Sequence, residues 1–149
     1  MKLVINKCFG GFSLSPLAVK RLAELQGKEC FFFDYKDTPL TLEEATGVNF
    51  FMAFSTPNLG DAVNPKKPRG SMTPKERKTH DDSYLAINLT TRPENRSDPL
   101  LIKVVEELGV EAASGKLAEL AIVEIPDDVQ YTIEDYDGRE SVHEKHRSW

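Results

Sequence analysis

Two stretches of the chain combine residue types that can hold a phosphorylated ligand. Residues 3–16 read LVINKCFGGFSLSP, in which a Lys and two adjacent Gly residues precede a helix start at Ser-Pro. Adjacent glycines allow a close backbone approach, and the free N–H groups of a helix N-terminus attract anions. Further along, Arg92 and Arg96 flank the start of a second predicted helix. Guanidinium groups bind phosphate through charge-assisted, often bidentate hydrogen bonds.

We therefore predict a site in which cations hold a phosphorylated group and aromatic rings offer stacking surfaces. The cations would come from Lys7, Arg92, Arg96 and Arg147. The rings would come from Phe9, Phe12, Tyr131 and Trp149. The full set of candidate ligand-binding residues is Asn6, Lys7, Phe9, Gly10, Gly11, Phe12, Ser13, Arg92, Arg96, Asp98, Tyr131, Arg147 and Trp149.

Each part of this prediction has a purely structural alternative. The glycine stretch could be an ordinary strand–helix connection whose Phe rings belong to the core. Arg92 and Arg96 could form ion pairs with nearby carboxylates, namely Glu94 and Asp98. The ring of Trp149 could simply fill the core.

Motifs for catalysis and metal binding are weak. His143 and His146 lie in HEKH, one residue short of the HExxH spacing of zinc proteases. Cys8 and Cys30 form no CxxC pair, and no GxSxG is present. We predict no catalytic residue, no metal and no cofactor. The alternative is a nucleotide-modifying or hydrolysing enzyme with His143, His146 or an acidic residue as general base.

The composition indicates one globular domain spanning residues 1–149. A chain of this length buries about 68–70% of its unfolded surface. The net charge of −5 argues against nonspecific nucleic-acid binding. Neither a signal peptide nor a bilayer-length apolar run is evident, and two distant cysteines favour free thiols in a reducing compartment. We expect a soluble cytoplasmic protein without membrane or specific nucleic-acid partners.

The predicted elements define an α+β fold with a mixed or antiparallel sheet of about five strands. Two helices carry clear caps: one at 16–26 with Ser15 before it and Gly27 after it, and one running from Asp98 to Gly109. Other predicted elements are a strand at 3–5, a buried strand beside it at 30–33, a short helix at 40–45, and strands at 48–54, 84–89, 121–125 and 129–134.

Turns complete this prediction. Asp127-Asp128 would close a hairpin between the last two strands. After a turn at Asp137-Gly138, the tail would continue as a short helix or coil.

Residues 58–82 differ in composition from the rest of the chain. They combine low hydrophobicity with the cations Lys66, Lys67, Arg69, Lys75, Arg77 and Lys78. Such a segment buries too little to order itself, so we predict a mobile basic inserted loop. Alternatives are a helical turn at residues 73–76, and an interaction module that uses the basic run to grip a partner or a phosphate.

Three segments resemble a known family. They read KLVINKCFGGFSLSPLAVKRLAEL, NRSDPLLIKVVEELG and VEIPDDVQYTIEDYDGRESVHEKHRSW. They are similar to small phage proteins that resemble the first type of Thoeris anti-defence proteins. The resemblance covers the first 30 or so residues and the last 55, whereas residues 35–82 have no counterpart in it.

The resemblance implies a non-catalytic sponge in the host cell cytoplasm. Such a protein sequesters a cyclic ADP-ribose isomer or related cyclic nucleotide, an immune signal, and forms a dimer or hexamer with pockets lined by neighbouring protomers. Sequestration below micromolar ligand needs about −8 to −12 kcal/mol. Hydrogen bonds to charged groups contribute about 1.5–3 kcal/mol each, and a stacked base about 1–3 kcal/mol. Two or three cations and one or two rings therefore suffice.

Overall fold

The computed structural model describes residues 1–33, 39–47, 53–55, 69–78 and 92–145. Arg147, Trp149, the strand predicted at 84–89 and most of the basic loop lie outside these residues. The elements are β1 (Lys2–Asn6), α1 (Pro16–Leu25), β2 (Phe31–Phe33), β3 (Pro39–Leu40), α2 (Leu42–Gly47), β4 (Ala53–Ser55), α3 (74–78), α4 (Pro99–Leu108), α5 (Val110–Ala113), β5 (Leu120–Glu124), β6 (Tyr131–Tyr136) and β7 (Arg139–Glu144). Single 3-10 turns occur at Arg69–Ser71 and Pro93–Asn95.

The predicted α+β class with antiparallel pairing is confirmed. Among the described residues the strands form three small sheets, ordered β1–β5, β3–β2–β4 and β6–β7. The expectation that the strand at 30–33 lies beside the first strand is wrong, because β2 pairs with β3 and β4. The place beside β1 is taken by β5, in an antiparallel register that sets Val4 opposite Ile122.

The predicted hairpin at Asp127-Asp128 is also wrong. β6 pairs with β7, so the segment expected to be a helix or coil is a strand. The tight turn is Asp137-Gly138, where both residues have positive φ, 50° and 89°, as the type I′ turn of a two-residue hairpin loop requires. The strands also differ in pattern. The first four residues of β5 are apolar and buried or half-buried, whereas the first four residues of β6 alternate between half-buried and exposed, as in a ribbon with one face in solvent.

Both helix predictions are confirmed, together with their caps. Ser15 Oγ accepts a hydrogen bond from the backbone N–H of Ala18, and Asp98 accepts from two N–H groups in the first turn of α4. Gly27 and Gly109 follow the helices with φ of 72° and 84°. α1 and α4 pack together over one face of the β1–β5 sheet and form the main core. None of the helices formed by the described residues combines the length and apolar character needed to span a bilayer.

Part of the basic loop has a regular structure. The turn predicted at residues 73–76 is confirmed: Thr73 Oγ1 accepts from Glu76 N at 3.2 Å, and Glu76 Oε2 accepts from Thr73 N at 2.9 Å. This reciprocal pair is a capping box, which stabilises the start of α3. Met72, beside it, is buried. Residues 69–78 therefore do not fit the expectation of a wholly solvated segment.

The two cysteines are free thiols, as predicted, and both are half-buried. Burial raises the pKa of the Cys30 thiol to about 12, with Glu24 adding to the rise and Lys20 opposing it. Cys8 lies in the loop after β1 rather than in a strand, and its Sγ donates to the carbonyl of Leu117 at 3.0 Å.

The raised pKa of Cys30 predicts slow alkylation in the folded protein. Because thiolate is the nucleophile, iodoacetamide at pH 8 is expected to label Cys8 at least tenfold faster than Cys30, as measured by peptide mass spectrometry. Labelling in urea, where burial is lost, is the control and is expected to equalise the rates. Between pH 9 and about 12 the folded state retains the proton that the unfolded state releases, so stability falls as pH rises through that window. Equal labelling rates in the native protein would contradict this account.

Candidate ligand-binding site

Three segments meet at one end of the β1–β5 sheet, and we call their meeting point the three-segment junction. They are the β1–α1 loop (7–15), the α5–β5 turn (114–119) and the β6–β7 hairpin tip (137–138). A Cβ atom on Gly10 would lie 1.7 Å from the carbonyl oxygen of Leu117, and one on Gly138 would lie 2.4 Å from the backbone nitrogen of Gly11. Only hydrogen fits at these contacts, so the adjacent glycines serve close packing of protein backbone on protein backbone.

The buried side chain of Asn6 contacts all three segments. Its Nδ2 donates to the carbonyls of Cys8 in the loop, at 2.8 Å, and Gly138 in the hairpin tip, at 2.6 Å. Its Oδ1 accepts from the N–H of Glu119 in the turn, at 2.8 Å. Asn6 has 0% relative exposure, so it is an internal residue and cannot itself contact a ligand at the surface, contrary to the prediction.

Arg96 is also internal. Its guanidinium makes a bidentate ion pair with Glu140, with Nη1–Oε2 and Nη2–Oε1 distances of 2.6 and 2.8 Å, and both residues are buried. The guanidinium also lies 3.3 Å from the centroid of the Phe12 ring. Arg96 is therefore buried rather than available as the predicted cation, and the half-buried Phe12 ring lies against its guanidinium. The alternative that pairs Arg96 with Asp98 is wrong. The Asp98 carboxylate caps α4 instead.

The Arg96–Glu140 pair bonds the edge of β1 that faces away from β5. The backbone N–H of Val4 donates to the carbonyl of Arg96 at 3.0 Å, and the Arg96 Nη1 donates back to the carbonyl of Val4 at 3.3 Å. One residue pair further along, the N–H of Asn6 donates to Glu140 Oε2 at 2.9 Å. The backbone carbonyl and guanidinium of Arg96, together with the carboxylate of Glu140, thus bond edge groups of β1 that a neighbouring strand would otherwise bond. Because Glu140 belongs to β7, these bonds fix the hairpin against the sheet.

Three exposed apolar side chains surround the junction. Phe9, Leu117 and Tyr136 are 58%, 49% and 78% exposed, and each belongs to or directly adjoins a different one of the three segments. The guanidinium carbon of Arg139 lies 5.8 Å from the Phe9 ring centroid, and Arg139 pairs across the hairpin with Tyr136. Lys7, exposed on the same loop as Phe9, adds a second cation. We call these five residues the cation–aromatic surface.

The other predicted site residues do not join this surface. Gly10, Gly11 and Ser13 are used in packing within the junction; the Ser13 side chain lies against Gly115. Arg92 is exposed and lies 4.0 Å from Glu94, which confirms the alternative ion pair for that residue. Tyr131 is half-buried and lies five residues before Tyr136 in β6, about 16 Å away at 3.3 Å per residue.

His143 occupies a strand, β7, rather than a helix. Ser141 Oγ lies 2.8 Å from its Nε2, and Glu134 Oε2 lies 3.5 Å from the same nitrogen. A nucleophile–base–acid relay needs the hydroxyl and the carboxylate on opposite ring nitrogens, so this exposed group does not have relay geometry. No three His, Cys, Asp or Glu side chains cluster as a metal-ligand set within the described ranges.

The sequence analysis did not identify Arg139, Tyr136 or Leu117 as site residues. The sequence YDGRE did contain a signal for Tyr136 and Arg139. Asp-Gly strongly favours a two-residue hairpin turn, which places the residues on either side of it opposite each other. Leu117 carried no comparable signal, since it joins the surface through its tertiary contacts with Cys8 and Gly10.

Comparison with known proteins provides no relative for this arrangement. No protein-family model, curated protein or solved structure matches the chain. Functional inference therefore depends on the chemistry of the junction. Its defining features are two exposed cations and three exposed apolar side chains on a backbone held rigid by glycine contacts and buried hydrogen bonds.

Proposed function

We propose that the chain is a non-catalytic binding protein that retains a cyclic ADP-ribose isomer or related cyclic nucleotide at the cation–aromatic surface. By holding this immune signal in the host cytoplasm, the protein inhibits an antiphage defence system of the Thoeris type. The main support is the position of the Arg139 guanidinium beside the exposed ring of Phe9, with Lys7 on the same loop. This set provides the cation and the stacking surface that a nucleotide requires.

The available groups match the required affinity. Two cations contribute about 3–6 kcal/mol and two stacked rings about 2–6 kcal/mol, so the upper half of the combined range overlaps the 8–12 kcal/mol of binding free energy that tight sequestration needs. Ordering of loops on binding would reduce this sum. The glycine contacts of the junction and the amide of Asn6 hold the three segments before ligand arrives, which limits that cost.

The proposal includes a homo-oligomer, a dimer or hexamer. The rings of the cation–aromatic surface are widely exposed on one chain, whereas ligand sites in proteins bury 70–90% of a small ligand. A neighbouring protomer would supply the missing cover, in agreement with what the resemblance implies. Native mass spectrometry with and without cyclic ADP-ribose measures the subunit number and the bound ligand together.

An enzyme acting on the same nucleotide is the second candidate. Residue pairing places His143 on the same face of the β6–β7 hairpin as Arg139, four residues along β7 and about 13 Å away. A nucleotide held at Arg139 could extend toward that histidine. This alternative predicts a chemically altered ligand, whereas retention predicts an unaltered one.

Removal of the Phe9 ring is expected to weaken binding of cyclic ADP-ribose. Phe9→Ala and Arg139→Ala are each expected to raise the dissociation constant at least tenfold, about 1.4 kcal/mol, through loss of stacking and of charged hydrogen bonds. Isothermal titration calorimetry measures this. The control is Leu17→Ala, which trims a side chain of similar exposure on α1, outside the cation–aromatic surface, and leaves affinity unchanged. Wild-type affinity in both test variants would remove this surface from the binding site.

A further inference from the structure

One side-chain amide, that of Asn6, is bonded to all three segments of the three-segment junction. The Asn6 side chain can donate two hydrogen bonds and accept two. Both donors are used, on Cys8 O and Gly138 O, and Oδ1 accepts from Glu119 N; the Cys8 Sγ lies 3.4 Å from Oδ1, but its one proton has the shorter contact with the Leu117 carbonyl. The orientation of the amide is determined by its partners, because two carbonyls require the NH2 group and a backbone N–H requires the oxygen. No other arrangement of this side chain satisfies all of them.

The chain positions of these partners connect the amide to the exposed groups. Cys8 lies between Lys7 and Phe9 in the loop, and Gly138 directly precedes Arg139 in the hairpin. Glu119 follows Leu117 by two residues in the α5–β5 turn. Each of these three hydrogen bonds therefore joins Asn6 to a residue that lies one or two positions from a member of the cation–aromatic surface, and the three bonds together set the spacing between its parts.

We infer that Asn6 is the positioning residue of the cation–aromatic surface. It contacts no ligand; it sets the distance between Phe9 on the loop and Arg139 on the hairpin tip. The expectation that Asn6 affects ligand affinity rests on the proposed function. The expectation that Asn6 sets the distance between Phe9 and Arg139 does not depend on any ligand.

Two substitutions separate the roles of the amide. Asn6→Ser shortens the side chain and withdraws it from all three segments. Asn6→Asp keeps the shape and retains an oxygen for the N–H of Glu119, but it turns an oxygen toward the carbonyls of Cys8 and Gly138. The serine variant should therefore release all three segments, and the aspartate variant only the loop and the hairpin tip.

Nuclear magnetic resonance tests the geometry directly. The ring current of Phe9 shifts the side-chain protons of Arg139, and Phe9→Leu gives the size of that shift. Both Asn6 variants are expected to lose at least half of it. The amide hydrogen of Glu119 is expected to stay protected from exchange in Asn6→Asp and to lose at least tenfold protection in Asn6→Ser. The control, Val104→Ala, removes core methyl groups away from the junction and is expected to preserve both signals.

The outcomes distinguish the inference from the proposed function. An unchanged Arg139 shift in the Asn6 variants overturns the positioning role, whatever the ligand does. If one Asn6 variant fails to fold while Val104→Ala folds, the other Asn6 variant supplies the same comparison. If neither Asn6 variant folds, the inference that Asn6 acts locally, on the spacing of the cation–aromatic surface, is overturned. If the shift is lost and cyclic ADP-ribose affinity falls tenfold in parallel, the inference is supported in full. If wild-type protein binds no cyclic ADP-ribose, the proposed function fails, and the shift alone decides the positioning role.

Discussion

Arg96→Met is expected to lower the free energy of unfolding by about 3–5 kcal/mol, because it leaves the Glu140 carboxylate buried without its counter-charge. Both side chains of the pair are 3% exposed, and the guanidinium also bonds the edge of β1. Urea unfolding followed by circular dichroism measures the change. The matched control is Arg21→Met, which breaks the exposed Arg21–Glu107 pair and is expected to cost no more than about 1 kcal/mol.

A double variant tests the cause of this loss. Arg96→Met combined with Glu140→Leu removes both buried charges and is expected to be more stable than Arg96→Met alone, since an apolar pair leaves no unpaired charge. If Arg96→Met and Arg21→Met cost the same, the buried ion pair does not hold the hairpin against the sheet as described.

Gly138→Ala is expected to destabilise the protein by at least about 3 kcal/mol and to abolish measurable nucleotide binding. The residue has a φ of +89°, and a Cβ atom would lie 2.4–2.8 Å from backbone atoms of Gly11 and Phe9. Positive φ alone costs a non-glycine residue about 1–3 kcal/mol, and a backbone clash leaves no flexible group to move aside. Thermal unfolding and calorimetry with cyclic ADP-ribose measure the two effects.

Gly47→Ala is the control for this prediction. Among the residues that the structure describes, no atom lies within 4 Å of a Cβ added to Gly47, and Gly47 needs no positive φ, so the substitution is expected to be neutral or slightly stabilising. Equal stability of Gly138→Ala and Gly47→Ala would mean that the hairpin tip does not pack on the β1–α1 loop.

Local signals in the sequence predicted the helices well and the strand pairing poorly. Ser15-Pro16 and Asp98-Pro99 act within one helical turn, so their meaning does not depend on the rest of the chain. Strand pairing depends on the whole fold. The segment at 121–125 could have paired with its neighbour in sequence, but the continuous apolar character of LAIV and LVI favours β5 beside β1, which covers both strands.

The sequence predicted the kinds of group at the site, cations and aromatic rings, better than it predicted which individual residues supply them. Lys7 and Phe9 are exposed at the junction, as a binding site requires. In the sequence, Arg96 was as good a candidate cation as Lys7. Its partner Glu140 lies 44 residues away, and no local sequence pattern indicates that the two residues pair. Only the fold shows that one arginine is internal and another, Arg139, is exposed beside an aromatic ring.

The central claim is that the cation–aromatic surface retains a cyclic nucleotide without changing it. Its most direct test is to incubate the protein with cyclic ADP-ribose, remove unbound ligand, denature the complex and quantify the released molecule by mass spectrometry. We predict intact cyclic ADP-ribose from wild-type protein in stoichiometric amount, and at least tenfold less from Arg139→Ala under the same washing. Release of a linear or otherwise altered nucleotide, or equal retention by both proteins, would contradict the account.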